Sequence, residues 1–142
     1  MAPTPRIWDP LRRKRVALTP EERVRQWMIG VLGVASGVPR HQMMSEVELH
    51  FGESDKVWRA DILVYGSGGV PLSVVECKRP EVALTPAVLE QALRYNLVLG
   101  VKCLMITNGT RTRVFVRRSR DGEGDGWTGA DHFLSYEEML QL

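Results

Sequence analysis

Residues 58–80, WRADILVYGSGGVPLSVVECKRP, constrain the fold of this chain more than any other stretch. Two runs rich in β-branched and aromatic residues flank a glycine-rich break at residues 66–69, which is typical of a β-hairpin. If the two glycines that end this break form a two-residue primed turn, Ser67 pairs with Val70. Both runs carry apolar residues on both faces, as do strands that are covered on each side. The hairpin is therefore predicted to lie at the centre of a layered fold.

The register of this hairpin brings polar residues together. Counting back from the turn places Asp61 directly opposite Glu76. Directly opposed residues share a face of the sheet, with Cβ atoms about 5 Å apart. Lys78 lies two residues after Glu76 and points the same way. Two carboxylates and an amine are thus predicted to converge on one face of an otherwise apolar hairpin.

The length and composition predict one soluble globular domain. The chain has 142 residues, of which 25% are charged and 44% hydrophobic, as is ordinary for a soluble single domain. We expect one domain over residues 1–142, with a loosely ordered N-terminus at 1–10 and a core at 19–120. The net charge of +2 is too small to imply a nucleic-acid partner by itself. Two basic clusters are either solvated faces or nucleic-acid contacts: residues 12–15, and Arg111, Arg113, Arg117, Arg118 and Arg120.

The two cysteines and the apolar runs bear on the compartment. Cys77 and Cys103 provide neither a disulfide framework nor the spacing of metal ligands. Cys77 is expected to face away from Glu76, as a small buried hydrophobe. No apolar run approaches the roughly 18 residues of a membrane span, and the N-terminus MAPTPRIWDP lacks a signal pattern. These observations predict a cytoplasmic protein with no membrane partner.

Two Thr-Pro pairs mark the starts of two helices. Thr19 is an N-cap, Pro20 occupies the first helical position, and Glu22 completes a capping box. The second helix opens at residues 85–86 and ends at Gly100. An apolar stripe with i, i+3, i+4 spacing is predicted for the first helix: Val24, Trp27, Met28, Val31, Leu32 and Ala35.

The remaining segments are predicted to be strands and turns. Asn108-Gly109 is a strong signal for a two-residue primed turn between two strands. The predicted segments are, in chain order, extended segments at 7–8 and 16–18, an alternating strand at 44–51, strands at 103–107 and 111–116, a loop at 121–129, a brief strand through 132–133 and a helical turn at 136–140. This order of elements predicts an α/β sandwich around a mixed sheet.

Asp61, then Glu76-Cys77-Lys78 on the next strand, then a helix, match the D…(D/E)-x-K pattern of the PD-(D/E)XK nuclease superfamily. More closely, the chain resembles the N-terminal nuclease domain of type I restriction enzyme R subunits, as a small stand-alone bacterial version. The segments that carry this resemblance are DPLRRK at 9–14, LTPEERVRQ at 18–26, DILVY at 61–65, VECKRP at 75–80, QALRY at 91–95 and TNG at 107–109.

The resemblance implies a restriction-endonuclease-like three-layer sandwich, with a mixed central β-sheet flanked by helices. It also implies a metal-dependent nuclease that hydrolyses DNA phosphodiester bonds. Ala60 stands in place of the proline that names the superfamily, which many members also lack. No helicase motor or methyltransferase partner is encoded in this sequence, so the DNA-translocating activity of the family is not carried over.

The residues of the hairpin suit a hard divalent cation. Two opposed carboxylates repel each other unless one is protonated or a cation lies between them, and oxygen ligands with open water positions suit Mg²⁺ or Mn²⁺. On this interpretation Asp61 and Glu76 hold the metal, with the Cys77 backbone carbonyl as a further ligand. Lys78 orients or deprotonates the attacking water. The alternative is a cross-strand carboxylate pair with a salt-bridged lysine, which would be costly in an apolar setting.

The two predicted helices add further candidate residues. Gln91 and Tyr95 are one helical turn apart and share a face. In the family that the chain resembles, this pair lies beside the metal site and contacts DNA or positions the lysine; the alternative is a polar outer face. The same family supplies an acidic residue from the first helix. Glu21, in phase with the stripe that faces the sheet, is preferred over Glu22.

The nucleic-acid contacts are predicted from charge and aromatic content. Because a phosphodiester substrate is expected, Arg12 and Arg13 are predicted to contact DNA. Arg25 contacts either phosphate or merely solvent, and the second is preferred. Trp127 either stacks on a base or anchors a loop. Structural or surface roles are expected for the three histidines, His41, His50 and His132.

Two functions of different classes remain open. The first is a nuclease that uses Mg²⁺ or Mn²⁺ and takes DNA as its partner, with a second copy of the chain and other restriction-system subunits as further expected partners. The strand at 111–116 is one conceivable edge for such a homodimer. The second is a non-catalytic module that keeps the nuclease fold and binds nucleic acid or protein. The complete set of Asp61, Glu76 and Lys78 favours the first.

Overall fold

A six-stranded mixed β-sheet forms the middle layer of the computed structural model, which describes residues 3–50, 57–117 and 126–142. A two-stranded hairpin precedes it. The helices and strands are, in chain order, β1 (Arg6–Asp9), β2 (Lys14–Ala17), α1 (Pro20–Val34), β3 (Met43–His50), β4 (Val57–Tyr65), β5 (Pro71–Cys77), α2 (Pro86–Asn96), β6 (Cys103–Thr107), β7 (Thr112–Arg117), β8 (Trp127–Ala130) and α3 (Tyr136–Leu140).

The strand order of the sheet is β3-β4-β5-β6-β7-β8. Strands β5 and β6 are parallel, and all other neighbours are antiparallel. A parallel pair requires a crossover, which α2 provides. One core lies between the sheet and helices α1 and α3, and a second lies between the sheet and α2. The three-layer sandwich with a mixed central sheet is therefore confirmed.

The starts of both long helices are as predicted. The Thr19 side chain accepts a hydrogen bond from the Glu22 amide at 3.1 Å, and the Thr85 side chain accepts one from the Val88 amide at 3.3 Å. The reciprocal half of the predicted capping box is wrong, because the Glu22 carboxylate bonds to Arg12 and to other partners on its own helix. Glu22 therefore stabilises tertiary structure rather than the helix start.

The predicted apolar stripe of α1 is only partly buried. Met28 and Leu32 are fully buried, and Val24 is 4% exposed. Trp27 is 43% exposed and Ala35 is also exposed, so these two residues were wrongly predicted to face the core. The side that contacts the sheet follows i, i+4 spacing, which leaves residues one position away from it on the helix surface.

The turn between β4 and β5 is longer than predicted. It is a five-residue loop at residues 66–70, so the predicted pairing of Ser67 with Val70 is wrong. Instead Tyr65 pairs with Pro71. A one-residue register shift just before Tyr65 offsets the longer loop. The rest of the hairpin consequently has the register that the sequence predicted.

The second predicted primed turn is also longer. Residues 108–111 connect β6 to β7, and the Asn108 side chain accepts hydrogen bonds from the amides of Thr110 and Arg111 at 2.9 and 2.7 Å. Asn108 thus stabilises a four-residue loop through its side chain, in the manner of an Asx turn. The φ angle of Gly109 is +88°, which a glycine adopts without strain.

The last strand lies where a loop was predicted. Residues 127–130 form β8, which pairs with β7, and no strand passes through 132–133. The glycines of this segment obscured its strand character. Because β8 covers β7, residues 111–116 are not a sheet edge and do not provide the dimer edge that was considered. The predicted helical turn is confirmed as α3. Phe51 of the predicted strand at 44–51, and residues 121–125, lie outside the described residues.

The N-terminal segment expected to be loosely ordered contains β1. It pairs with β2, so the extended segments predicted around residues 7 and 16 form one antiparallel hairpin. In the part of the chain that the structure describes, no helix is long and apolar enough to cross a membrane.

Candidate active site at the end of the central hairpin

Asp61 lies where the β4–β5 ladder ends. Ile62 pairs with Val75, so Asp61 and Glu76 occupy the next positions of the same register. Asp61 Oδ2 accepts a hydrogen bond from the Cys77 backbone N–H at 2.7 Å. A side-chain oxygen here accepts the amide hydrogen bond that a backbone carbonyl accepts in a continuous ladder. The Asp61 side chain is 26% exposed, so one part of its carboxylate remains accessible.

Glu76 and Lys78 lie together on the α2 side of the sheet. Glu76 Oε2 is 3.7 Å from Lys78 Nζ, and Glu76 Oε1 accepts a hydrogen bond from Asn96 Nδ2 at 2.7 Å. Cys77 between them is 4% exposed and points into the core on the α1 side, as predicted. Burial raises the pKa of its thiol, so Cys77 is an inert part of the core rather than a nucleophile.

Helix α2 supplies one wall of a cavity of about 240 Å³ over these two residues. Gln91 and Tyr95 line it together with Glu76 and Lys78. The Tyr95 hydroxyl accepts a hydrogen bond from the Arg59 amide at 3.1 Å, so it also fixes α2 to β4 close to Asp61. The Gln-x-x-x-Tyr pair is thus a neighbour of the predicted metal site.

Arg25 connects Asp61 to a buried ion-pair network. It is 4% exposed, and its guanidinium lies 2.9 Å from Glu22, 3.1 Å from Glu46 and 3.3 Å from Asp61. The preferred prediction of a solvent-facing Arg25 is therefore wrong. Burial on its own lowers the pKa of Arg25, but the surrounding carboxylates outweigh it and raise the pKa. Arg25 consequently acts as a fixed positive charge behind Asp61.

Arg12 extends the same network into the N-terminal hairpin. Its guanidinium bonds to Asp9, and lies 2.6 Å from Glu22 and 3.0 Å from Glu46. Arg12 is therefore mostly engaged within the protein. The neighbouring Arg13 is exposed and adopts a left-handed φ of 54° at the β1–β2 turn.

Glu21 and Glu22 take different places in this network. Glu22 is 5% exposed and contacts both arginines. The Glu21 carboxylate is 45% exposed and lies 3.7 Å from Arg25 Nη2, the nitrogen that also contacts Asp61. Glu21 is hence the more accessible of the two carboxylates near Asp61, and its catalytic role remains a prediction.

Two residues of the candidate site, Glu46 and Asn96, were not predicted from the sequence. Glu46 lies on β3 across from Asp61, between the pairs Ser45–Ile62 and Val47–Ala60, and its φ of 51° is rare for a residue with a side chain. Asn96 is 1% exposed. The alternation of β3 is the only signal for Glu46, and the sequence offers no signal for Asn96 beyond its position after the Gln-x-x-x-Tyr pair.

Asp9 should make the stability of the protein depend on pH. Burial alone raises its pKa, but hydrogen bonds from the Arg12 side chain and from the amides of Leu11 and Arg12 outweigh burial, so the pKa is lowered. Because the folded-state pKa is lowered, the ionised Asp9 carboxylate stabilises the fold at pH values above its unfolded-state pKa of about 3.9. This stabilisation is lost as the pH falls through the folded-state pKa.

We therefore expect Asp9→Asn to lower the free energy of unfolding by about 1–3 kcal/mol at neutral pH. The difference from wild type should shrink below about pH 4. Urea denaturation across a pH series measures it. Glu90→Gln, an exposed change on α2, serves as the control, and a difference that grows towards acid pH would contradict the assignment.

Most of the chain matches one known protein family. Residues 20–126 match the model of the type I restriction enzyme R protein N terminus. The chain belongs to this family. No curated protein matches the chain in sequence.

A solved structure has a fold similar to that of this chain. The chain superposes on a fragment described as an HsdR subunit of a type I restriction enzyme from Vibrio vulnificus YJ016, with a TM-score of 0.61 and 20% identity. The match covers 87% of this chain and 25% of that one. At this identity the likeness shows the fold alone, and the chain spans a quarter of the length of the protein that it matches.

The acidic residues of this R protein N-terminus domain fit a magnesium-type ion in their chemistry. Mg²⁺ is usually held by one or two carboxylates, with water or substrate phosphate completing its coordination. Asp61 and Glu76 provide two partly accessible carboxylates at neighbouring register positions. Within the described residues, no group of three or more His, Cys, Asp or Glu side chains is arranged to hold a metal.

The remaining predicted residues of the domain lie on its surface or in its second core. All three histidines are exposed. Trp127 is half-buried in β8 and packs against the α2-side core, so the interpretation as a loop residue is wrong. Arg111 and Arg113 are exposed, whereas Arg118 and Arg120 lie outside the described residues.

Proposed function

We propose that this domain is a metal-dependent nuclease that hydrolyses DNA phosphodiester bonds within a restriction system. The observation that carries the proposal is the shared cavity of Glu76, Lys78, Gln91 and Tyr95, with Asp61 at the adjoining register position. Membership of the R protein N-terminus family supports the restriction context and DNA as the partner.

In the proposed mechanism Asp61 and Glu76 would hold Mg²⁺ or Mn²⁺, with the Cys77 carbonyl as a further ligand. The bound ion supplies Lewis-acid stabilisation of phosphate charge and a more acidic water. Asn96 fixes one oxygen of Glu76 and leaves Oε2 towards Lys78. Lys78 then orients or deprotonates the attacking water and offsets the charge that develops on phosphate.

The roles of α1 and α2 follow from their contacts. Arg25 and the Cys77 amide each hold one oxygen of Asp61, which restricts the rotation of its carboxylate. Gln91 and Tyr95 flank the cavity, where they can contact the DNA strand or orient Lys78. Glu21 is the accessible carboxylate from which α1 would reach the reaction centre.

A specific observation favours a second function. Asp61 is paired with Arg25 and Glu76 with Lys78, so each carboxylate already has a cation of the protein beside it. A non-catalytic module that binds nucleic acid or protein would have such internal compensation. The complete Asp-Glu-Lys set nevertheless favours the enzyme, because binding alone does not require all three residues.

Cleavage assays separate the two functions. Supercoiled plasmid and single-stranded DNA are incubated with the protein in Mg²⁺, in Mn²⁺ and in chelator, beside the Asp61→Asn variant. We expect cleavage that requires metal and is reduced about 10³-fold or more in Asp61→Asn, a loss typical of essential metal-site groups. Asp131→Asn, which changes a 99% exposed carboxylate away from the site, should cleave like wild type.

Binding of DNA without cleavage under any metal would support the non-catalytic module. Cleavage that survives Asp61→Asn unchanged would place the active site elsewhere. A second copy of the chain and other subunits of a restriction system remain proposed partners. An RNA substrate in parallel reactions determines whether the nucleic-acid class is DNA.

A further inference from the structure

The β1–β2 hairpin has one face on the protein and one face open. Opposed residues of an antiparallel pair share a face. On the inner face Ile7 pairs with Val16, which is 8% exposed. On the open face Arg6 pairs with Ala17 and Trp8 pairs with Arg15. The indole of Trp8 is therefore displayed at the surface.

Trp8 is unusually exposed for its type. It is 56% exposed, although a large aromatic side chain is normally mostly buried. Arg6 donates a hydrogen bond to the Arg15 carbonyl at 2.9 Å, which carries the Arg6 side chain across the hairpin on the same side. Arginine side chains thus lie beside the tryptophan on the open face of the hairpin.

The charge of the hairpin is one-sided. Arg6, Arg13, Lys14 and Arg15 are all exposed. The only acidic residue between positions 6 and 17 is Asp9, which is fully buried and bonded to Arg12. Arg6 and Arg15 lie with Trp8 on the open face and Arg13 lies at the turn, whereas Lys14 pairs with the buried Asp9. The open face and the turn consequently present three positive charges and an aromatic ring without a compensating carboxylate of the hairpin.

We propose that this open face binds a nucleic-acid strand, with Trp8 stacked on an unpaired base and the surrounding cations on phosphates. Aromatic platforms inside basic surfaces are the general means of holding single strands, because every base has a stacking face. A base inside a duplex is not available to such a ring. The inference rests on the proposed nuclease function and deepens it, since it assigns a substrate with unpaired bases.

The hairpin is connected to Asp61 through the buried ion-pair network. Arg12, at its turn, contacts Glu22 and Glu46, and these same carboxylates contact Arg25, which reaches Asp61. One carboxylate and one guanidinium therefore lie between Arg12 of the hairpin and Asp61.

A polyanion suits this face better than a protein partner. Both classes of partner use tryptophan and arginine at their contacts. A protein interface normally intersperses acidic and basic groups, whereas contacts to phosphate need positive charge alone. The three exposed cations of the open face and the turn, without an exposed acid on the hairpin, therefore favour nucleic acid.

Binding without cleavage tests the inference. The full chain is titrated, in chelator, against a labelled single-stranded oligonucleotide and against its duplex, with fluorescence anisotropy as the readout. Trp8→Ala should weaken single-strand binding about tenfold or more, change duplex binding little and leave the urea midpoint unchanged. Trp8→Phe should keep most of the affinity because it keeps a stacking ring.

Matched variants separate stacking from charge. Arg15→Gln should weaken both DNA forms and lower the slope of log affinity against log salt by about one. The first control is Trp27→Ala, at a 43% exposed tryptophan on α1. The second is Lys102→Gln, at an exposed lysine whose side chain contacts the carbonyl of Leu142. Neither should change the affinity more than about twofold.

The proposal is overturned if Trp8→Ala and Trp27→Ala bind the single strand alike, or if all hairpin variants keep the wild-type affinity. The hairpin face would then be left to a protein partner. The assay contains no metal, so its outcome does not depend on catalysis. Hairpin-dependent binding, with plasmid and single-stranded DNA both uncut in Mg²⁺ and Mn²⁺, would refute the nuclease and keep the strand contact.

Discussion

Replacing Lys78 with alanine is expected to lower the rate constant of DNA cleavage about 10²- to 10⁴-fold, the range that a positioned acid or base contributes. Lys78 Nζ lies 3.7 Å from Glu76 Oε2 and lines the cavity that Gln91 and Tyr95 complete. Its amine is therefore placed to act on a water or a phosphate oxygen held beside Glu76. Single-turnover cleavage at saturating DNA measures the effect on the chemical step.

Metal binding should distinguish Lys78 from the two carboxylates. Removal of a positive charge 3.7 Å from Glu76 makes the site more negative, so Lys78→Ala should bind Mn²⁺ as tightly as wild type or more tightly. Asp61→Asn and Glu76→Gln should lose both metal affinity and cleavage. Titration calorimetry with Mn²⁺ alone provides the readout, and Lys102→Ala is the control for loss of a surface lysine.

The opposite pattern would refute these roles. If Lys78→Ala cleaves normally, the lysine is a partner of Glu76 in a structural ion pair and the active site is misplaced. If it loses metal affinity as Glu76→Gln does, the residue organises the site rather than taking part in the reaction.

The sequence predicted the parts of the fold that depend on local chemistry. Thr-Pro pairs fix the starts of both long helices, because the cap oxygen and the constrained proline φ act within one turn. The predicted register was also correct from the Ile62–Val75 pair to the Val64–Ser73 pair, although the turn was not. Two errors cancelled there: the loop is longer by three residues, and a register shift offsets it.

The long-range contacts could not be predicted in the same way. Glu22 fits a capping box three residues after Thr19, but it instead contacts Arg12, ten residues away. Arg25 contacts Asp61 across 36 positions of sequence. No local pattern reports such pairs, and charged residues on a helix usually face solvent. Strand β8 was missed because its glycines suggest a loop, whereas pairing with β7 decides its structure.

The two candidate metal ligands are held by residues from different layers of the fold. The resemblance supplied Asp61, Glu76, Lys78, Gln91 and Tyr95, and the structure places the last four around one cavity. Asp61 is reached by Arg25 from α1, while Glu76 is reached by Asn96 from α2. The two carboxylates are thus controlled from opposite layers of the sandwich, which explains why their supports are far apart in sequence.

Replacing Arg25 with methionine is expected to destabilise the protein by about 3–5 kcal/mol, the cost of removing one partner from a buried ion pair. The change leaves Glu22, Glu46 and Asp61 without the guanidinium that lies 2.9–3.3 Å from all three. Such a loss is a large fraction of the roughly 5–15 kcal/mol that stabilises a typical domain. Urea denaturation followed by circular dichroism at neutral pH measures it.

A double-mutant cycle tests whether the cost comes from uncompensated charge. In Arg25→Met combined with Glu22→Met, the most buried carboxylate is removed with its partner, so part of the stability should return. Arg23→Met, at an exposed position of the same helix, should change the stability by less than about 0.5 kcal/mol. Additive losses in the double variant would show that Arg25 and Glu22 are not coupled.

Arg25→Lys separates the stability of the network from its effect on Asp61. A lysine keeps the charge but cannot reach three carboxylates at once, because it lacks the planar fork of a guanidinium. We expect an intermediate stability and, in the folded protein, weaker Mn²⁺ affinity, since Asp61 would lose one of the two contacts that hold its carboxylate. Unchanged Mn²⁺ affinity in this variant would show that Arg25 contributes only to folding. The Cys77 amide would then be the group that orients Asp61.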